Sequence, residues 1–245
     1  MKKVMCDIGH GGSDLGATGN GLIEKDLNLK VGLLVRDHLK NYKVEVKLTR
    51  DTDKTLTADQ RVKLVNDYNP DLCVSIHHNA AVSTARGAEV IHAHWDEYDD
   101  ILALSILSKL AKAGMPTRRA FSKLNERKSD YYYMVRRIWD DATDAIIIEG
   151  GFITNIQDAA MLKTDSYIKA QAQAIADSIV EYLQLEPIVI TQEQEFNSAM
   201  EYISTNKIFD MTMYWILNAQ AGKVIPGEIV QSAFIKLVQH AKALK

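Results

Sequence analysis

The sequence predicts an α/β fold: a twisted, mostly parallel sheet flanked by helices, followed by a small all-α C-terminal region. Three observations carry this. Short, β-branched, mostly apolar runs recur as far as about Leu185, as in strands buried on both faces. Helical patterns lie between them, the order expected of β-α-β units. Beyond residue 190 the strand-like runs stop and only helical patterns remain.

The elements follow in order. "KKVMCDIG" is the first strand and ends at a glycine-rich stretch with five glycines from Gly11 to Gly21. Leu27, Val31, Leu34, Val35 and Leu39 stand at helical spacing, so residues 24–40 form an amphipathic helix. "VEVKLTR" is the second strand, and "TADQRVKLVNDY" a helix with Thr57 as its N-cap. "DLCVSIHHN" and "GAEVIHAHW" are the third and fourth strands. "DDILALSILSKLAKAG" is a helix stopped by Gly114 and Pro116. Residues 115–144 hold an edge strand near "FSKLNER" and a short helix over "YYYMVRRIW". "DAIIIEGGF" is the last strand, and "SYIKAQAQAIADSIVEYLQL" the long helix after it. Residues 1–186 thus form one domain. Residues 191–245 hold three helical stretches, whose rings at Tyr202, Phe209, Tyr214, Trp215 and Phe234 require burial. Docking on the main domain, homo-oligomer formation and surface binding are the roles open to this region.

The 245 residues are 47% hydrophobic and 25% charged, with a formal net charge of -3, so no basic excess points to nucleic acid. The only cysteines, Cys6 and Cys73, lie in apolar strand runs and read as buried, inert thiols. The apolar run after Lys2 and Lys3 is too short for a signal-peptide core, and no run reaches the length of about 18 that spans a bilayer. The expectation is a chain made in the cytoplasm without a signal peptide or membrane insertion.

Ligands on open α/β sheets bind beyond the carboxyl ends of the strands. His10 follows the first strand there. His77 and His78 close the third, with Asn79 beside them. Glu149 ends the last clear strand, and Glu24 opens the first helix on the same side. Strand alternation points His77 and His78 to opposite faces; the less apolar face favours His77, and His78 stays open. Two imidazoles and a carboxylate are the ligand set of a catalytic zinc, which keeps one position for water. A second carboxylate, not bound to metal, can carry the proton. His92 and His94 share a strand face and form a rival metal pair, while His38 and His240 read as solvated helix residues. The glycine stretch "GHGGSDLGATGNG" has no Gly-Lys-Ser/Thr for a P-loop, no Gly-x-Ser-x-Gly elbow and no Gly-x-Gly-x-x-Gly fingerprint.

These residues resemble a known family. "DIGHGGSDLGATGNGLIEKDLNL" is similar to the opening motif of the zinc-dependent N-acetylmuramoyl-L-alanine amidases, the amidase 3 family. "VKLTRDTDKTLTADQRVKLVND", "DLCVSIHHNA", "GAEVI" and "IIIEGGFITNIQDAAML" resemble its later blocks, in order, over residues 2–185. The resemblance implies one Zn2+ per chain held by His10, Glu24 and His77, with Glu149 as catalytic acid/base. His78 falls on the family's Ala position. The implied reaction is cleavage of the amide between N-acetylmuramic acid and L-alanine in peptidoglycan. Asn79 and Arg136 are the candidates for orienting substrate. Ile8 replaces the family's usual Pro and is expected to loosen the turn; Tyr132 replaces a Leu. A lytic enzyme of the endolysin kind, acting on the wall after release, is the implied setting. A wall-binding protein without turnover, or a metallopeptidase of ordinary peptides, would share the fold without this activity.

Overall fold

The computed structural model describes residues 1–94, 99–138 and 143–189, and within them Met1–Pro187 form one compact unit. The helices expected in residues 191–245 lie outside the described residues.

The strands are β1 (Lys2–Ile8), β2 (Thr18–Gly19), β3 (Leu22–Ile23), β4 (Val44–Leu48), β5 (Leu72–Asn79), β6 (Ala88–Ile91), β7 (Thr117–Phe121) and β8 (Asp144–Phe152). The helices are α1 (Glu24–Leu39), α2 (Ala58–Tyr68), α3 (Asp99–Lys112), α4 (Tyr133–Ile138), α5 (Ile156–Leu162) and α6 (Asp165–Tyr182). Six strands form one sheet in the order β4-β1-β5-β8-β6-β7, while β2 and β3 pair as a small hairpin inside the glycine-rich loop. β4, β1, β5 and β8 are parallel. β6 runs antiparallel to β8, and β7 is parallel to β6, so the two strands on that side of the sheet are reversed.

Strand alternation divides the interior into two cores. Val4, Cys6, Leu72, Val74, Ile76, Ile146 and Ile148 face the layer of α1, α3 and α6. Met5, Cys73, Ala145 and Ile147 face the layer of α2 and α4, with Val62, Val65, Met134 and Val135. The two cysteines are buried and unbonded, and burial pushes the Cys6 thiol up to about 12.

Local chemistry accounts for the helix starts. Thr57 caps α2 in a reciprocal box with Gln60, each side chain meeting the other's backbone N–H. α1 begins without a side-chain cap at Ile23. Instead, the Glu24 and Lys25 N–H groups donate to the Ala17 and Leu15 carbonyls of the glycine-rich loop, and the acidic Glu24 and Asp26 suit the positive helix end. This fastens the loop to the first turn of α1.

Two expectations shift. The edge strand is Thr117–Phe121, not the "FSKLNER" stretch, which turns instead: the Asn125 side chain accepts from the Arg127 and Ser129 N–H groups and donates to Ser129 Oγ. β6 stops at Ile91, so His92 and His94 lie beyond it.

Candidate active site

His10, Glu24 and His77 meet at the carboxyl ends of β1 and β5. Their donor atoms lie within 4.8 Å of one another, the one such group of three among the described residues. His10 Nε2 is 3.2 Å from Glu24 Oε2, and His77 Nδ1 is 2.9 Å from Glu24 Oε1. The imidazole rings stand edge to face, 5.0 Å between centroids.

Glycines permit this approach. A Cβ on Gly9 would sit 2.3 Å from the His77 ring, and one on Gly16 would sit 2.6 Å from both Glu24 Oε2 and His10 Cδ2. Gly16 also takes φ +64°, where a side chain is strained.

Glu24 and His10 are each held from behind. The Ala17 and His78 N–H groups donate to Glu24 at 2.8 and 3.1 Å, and Asn28 Nδ2 donates at 3.3 Å. His10 carries φ +57°, an unfavourable backbone for a residue with a side chain. Its Nδ1 is fixed by Asp14 Oδ2 at 2.9 Å. Two buried guanidiniums clamp the turn before it. Arg50 donates to the Ile8, Gly9 and Lys25 carbonyls, and Arg61 to those of Ile8 and His10. Arg61 also pairs with the fully buried Asp7 at 2.8 Å, and Asp7 accepts from Thr49 and Ser75. Burial opposes the Asp7 charge, but Arg61 and Ser75 outweigh it and hold its carboxyl low. Ile8 therefore does not loosen the turn: its N–H donates to Thr49 Oγ1 at 3.0 Å, a bond proline could not make.

The electrostatics follow from this crowding. The hydrogen bond to Glu24 raises His10 to about 9 against the effect of burial. Burial opposes charge on His77 too, but its bond to Glu24 and the Glu149 charge leave its pKa raised. Burial likewise opposes ionisation of Glu24, yet both imidazoles hold its carboxyl far below the usual range.

Glu149 lies beside this group, paired in register with His77 across β5 and β8. Burial pushes its carboxyl up to about 7; His77 opposes this, and the Glu24 and Glu89 charges add to it. Its Oε2 is buried with no hydrogen-bond partner. An orphaned buried oxygen next to three converged donors fits a site built to take a further group.

The remaining candidates are placed differently. His78 turns away and is buried, joined to Asn28 Oδ1 at 2.8 Å and to Gln171; burial lowers it to about 4. Asn79 donates to Glu89 Oε2 at 2.9 Å. Arg136 donates to the Asp130 and Tyr131 carbonyls and lines a separate cleft of about 570 Å3 with Lys123, Arg127 and Tyr131. That cleft touches none of the four central residues. His92 and His94 do not pair: His92 Nε2 meets Asp100 at 2.7 Å and His94 Nδ1 meets Ser122 at 2.8 Å. Sequence reasoning passed over Asp14, Glu89 and Arg61. An acidic residue in the apolar run "GAEVI", and one four residues after His10, were the signals available.

The family model described as N-acetylmuramoyl-L-alanine amidase matches residues 4–181. The chain belongs to this family. It is a peptidoglycan hydrolase acting on the amide between N-acetylmuramic acid and L-alanine. The protein YqiI of Bacillus subtilis is 36% identical over 183 residues, covering 74% of this chain and 84% of its own length. The endolysin of Bacillus phage SPP1 is 33% identical over 193 residues, covering 76% of this chain and 67% of its own length. Among solved structures, the catalytic domain of the amidase CwlV from Bacillus (Paenibacillus) polymyxa superposes with a TM-score of 0.67 at 31% identity, covering 76% of this chain and all of that one. This amidase likeness covers the sheet and both helical layers described above.

Proposed function

We propose that this amidase is zinc-dependent, with His10, Glu24 and His77 holding one ion and Glu149 moving the proton. The carrying observation is the convergence of two imidazoles and one carboxylate beside the unpartnered Oε2 of Glu149. Neighbouring donors around a tetrahedral zinc stand roughly 3.3 Å apart, given bonds of about 2.0–2.1 Å. The spacings of 3.2 and 2.9 Å here are close to that. Bound there, zinc would polarise the amide carbonyl and bring the pKa of a water toward about 7.

The chain's own groups supply the rest. Glu149, with its pKa near 7, can accept a proton from the attacking water and return it to the leaving L-alanine nitrogen. Asp14 fixes the orientation of the His10 ring, as outer partners of metal-binding histidines do. Asn79 acts indirectly, by holding Glu89, and Arg136 braces the loop after β7.

The test is digestion of purified peptidoglycan by the zinc-loaded chain. Mass spectrometry should find intact stem peptides with free L-alanine amines, and glycan strands with free lactyl carboxylates. Cleavage inside the stem peptide, or of glycan-free peptides, would make it a peptidase; binding without new amines would make it a wall-binding protein. Likeness to an endolysin supports a lytic role on the wall. Residues 191–245 we assign to wall binding or self-association. A chain ending at residue 186 should cleave soluble muropeptide but lose wall binding or its oligomeric mass.

A further inference from the structure

The line of paired residues through the site does not stop at Glu149. β6 sets Glu89 opposite Glu149, and β7 sets Arg119 opposite Glu89. His77, Glu149, Glu89 and Arg119 therefore stand side by side across four neighbouring strands. By strand alternation all four share the face of the α2–α4 layer, since Ile91, Ile147 and Cys73 on the same strands pack there.

Glu89 is only 3% exposed. Asn79 Nδ2 holds its Oε2, while Arg119 Nε and Arg118 Nη1 reach its Oε1 at 2.8 and 3.2 Å. Rings orient both guanidiniums: Arg119 lies 3.9 Å from the Phe121 centroid and Arg118 5.5 Å from that of Phe152. Both arginine side chains are about half exposed, at 54% and 46%. Two cations on one carboxylate leave one positive charge uncompensated at the lip of the site. Arg119 bonds through Nε alone, so its two Nη groups have no hydrogen-bond partner among the described residues. That free edge is the fork that binds a carboxylate with two parallel hydrogen bonds.

We propose that Arg119, held in place by Glu89 and supported by Arg118, is a subsite for a carboxylate on the peptide side of the scissile amide. The inference rests on the amidase reading, which puts the leaving nitrogen at Glu149. The row then continues from Glu149 away from His77, in the direction the peptide must take. Neighbouring strands are about 4.8 Å apart, so the Arg119 backbone is roughly 9.6 Å from that of Glu149, and its side chain leans back to Glu89. Two extended residues span about 7 Å. The group reached is the α-carboxyl of the second stem residue, a glutamate linked through its side chain. Cell walls carry that carboxyl either as the free acid or as its amide. The subsite selects the acid.

The experiment uses the full, zinc-loaded chain and two soluble muropeptides that differ only in this group, free acid against amide. The acid should be favoured on the order of tenfold or more in kcat/KM, chiefly through KM, as expected for a charge-assisted bidentate contact. In Arg119→Gln the acid-to-amide ratio should collapse to near one. Arg119→Lys, which keeps charge but not the fork, should fall between. A wild-type ratio near one overturns the proposal. So does an Arg119→Gln chain that keeps the ratio while both rates fall, for Arg119 would then only prop Glu89. Calorimetric binding of both peptides to the zinc-loaded Glu149→Gln chain gives the ratio without turnover. If neither peptide is cleaved at the lactyl amide, the amidase reading fails, while this binding ratio still decides the subsite.

Discussion

Glu24 accepts hydrogen bonds from Ala17, His78 and Asn28 and touches both imidazoles, whereas Glu149 keeps one buried oxygen with no partner. The β1–α1 side of the site is fastened at every polar group, down to the Asp7–Arg61 pair beneath it. The β8 side is left open. Two carboxylates beside the same histidine, Glu24 in contact with it and Glu149 on the neighbouring strand, are thus driven apart, one far below the usual range and one up to about 7. A fixed, ionised group suits holding a cation, and a desolvated group that titrates near neutrality suits proton transfer.

This contrast can be broken from either side. The largest effect is expected at Glu149. Glu149→Gln should cut turnover on the order of 100- to 10,000-fold and leave zinc near one per chain, measured by metal analysis beside kinetics. Glu24→Ala should do the reverse, losing the ion first. On the fastened side, Arg61→Met would strand the Asp7 charge in the core. Denaturant unfolding should report a loss of about 3–5 kcal/mol, the usual cost of breaking a buried pair. A loss under about 1 kcal/mol would show that the floor does not need its arginine.

Asp14→Asn probes a smaller contribution. It keeps the shape but weakens the anchor on His10, and zinc affinity should fall about 10- to 100-fold in a chelator competition. Unchanged affinity would mean that the clamped backbone alone orients the ring. The gentlest test is pH. In the metal-free chain His10 is raised to about 9 from an ordinary value near 6.5. Its contribution to stability is therefore present below about 6.5 and lost as pH rises through 9. Zinc needs the neutral ring, so metal affinity should move the opposite way, rising up to about tenfold per pH unit for each proton displaced. Melting curves of the metal-free and zinc-loaded chains over pH 6–9 should diverge. Parallel curves would mean that His10 is not protonated in the metal-free fold.

The parts legible in the sequence were those written in local periodicity. α1, α2 and α6, and the strands β1, β4, β5 and β8, follow from apolar spacing and from a cap such as Thr57. The convergence of His10 and Glu24 with the His77–His78 pair followed from placing residues at strand ends and at the start of α1, and the family resemblance chose His77. The reversed direction of β6 and β7 was not legible, because pairing sense depends on partners 60 residues away in sequence rather than on the strand's own composition. The short α5 and the β2–β3 hairpin are too brief to show a period. The partners of Asn79 and Arg136 were not legible either, because Glu89 and the Asp130 and Tyr131 carbonyls are brought to them only by the fold.

The strand order also has a consequence for synthesis. β8 is last of the six in the chain, yet it lies between β5 and β6 in the middle of the sheet. A chain emerging from the ribosome N-terminus first can gather His10, Glu24 and His77 once β5 is out. The edge of β5 then waits unpaired for some 65 residues until Asp144–Phe152 arrive to fill it. The three converged side chains can therefore come together before Glu149 joins them from the last strand. The candidate site is thus complete only when β8 has closed the sheet.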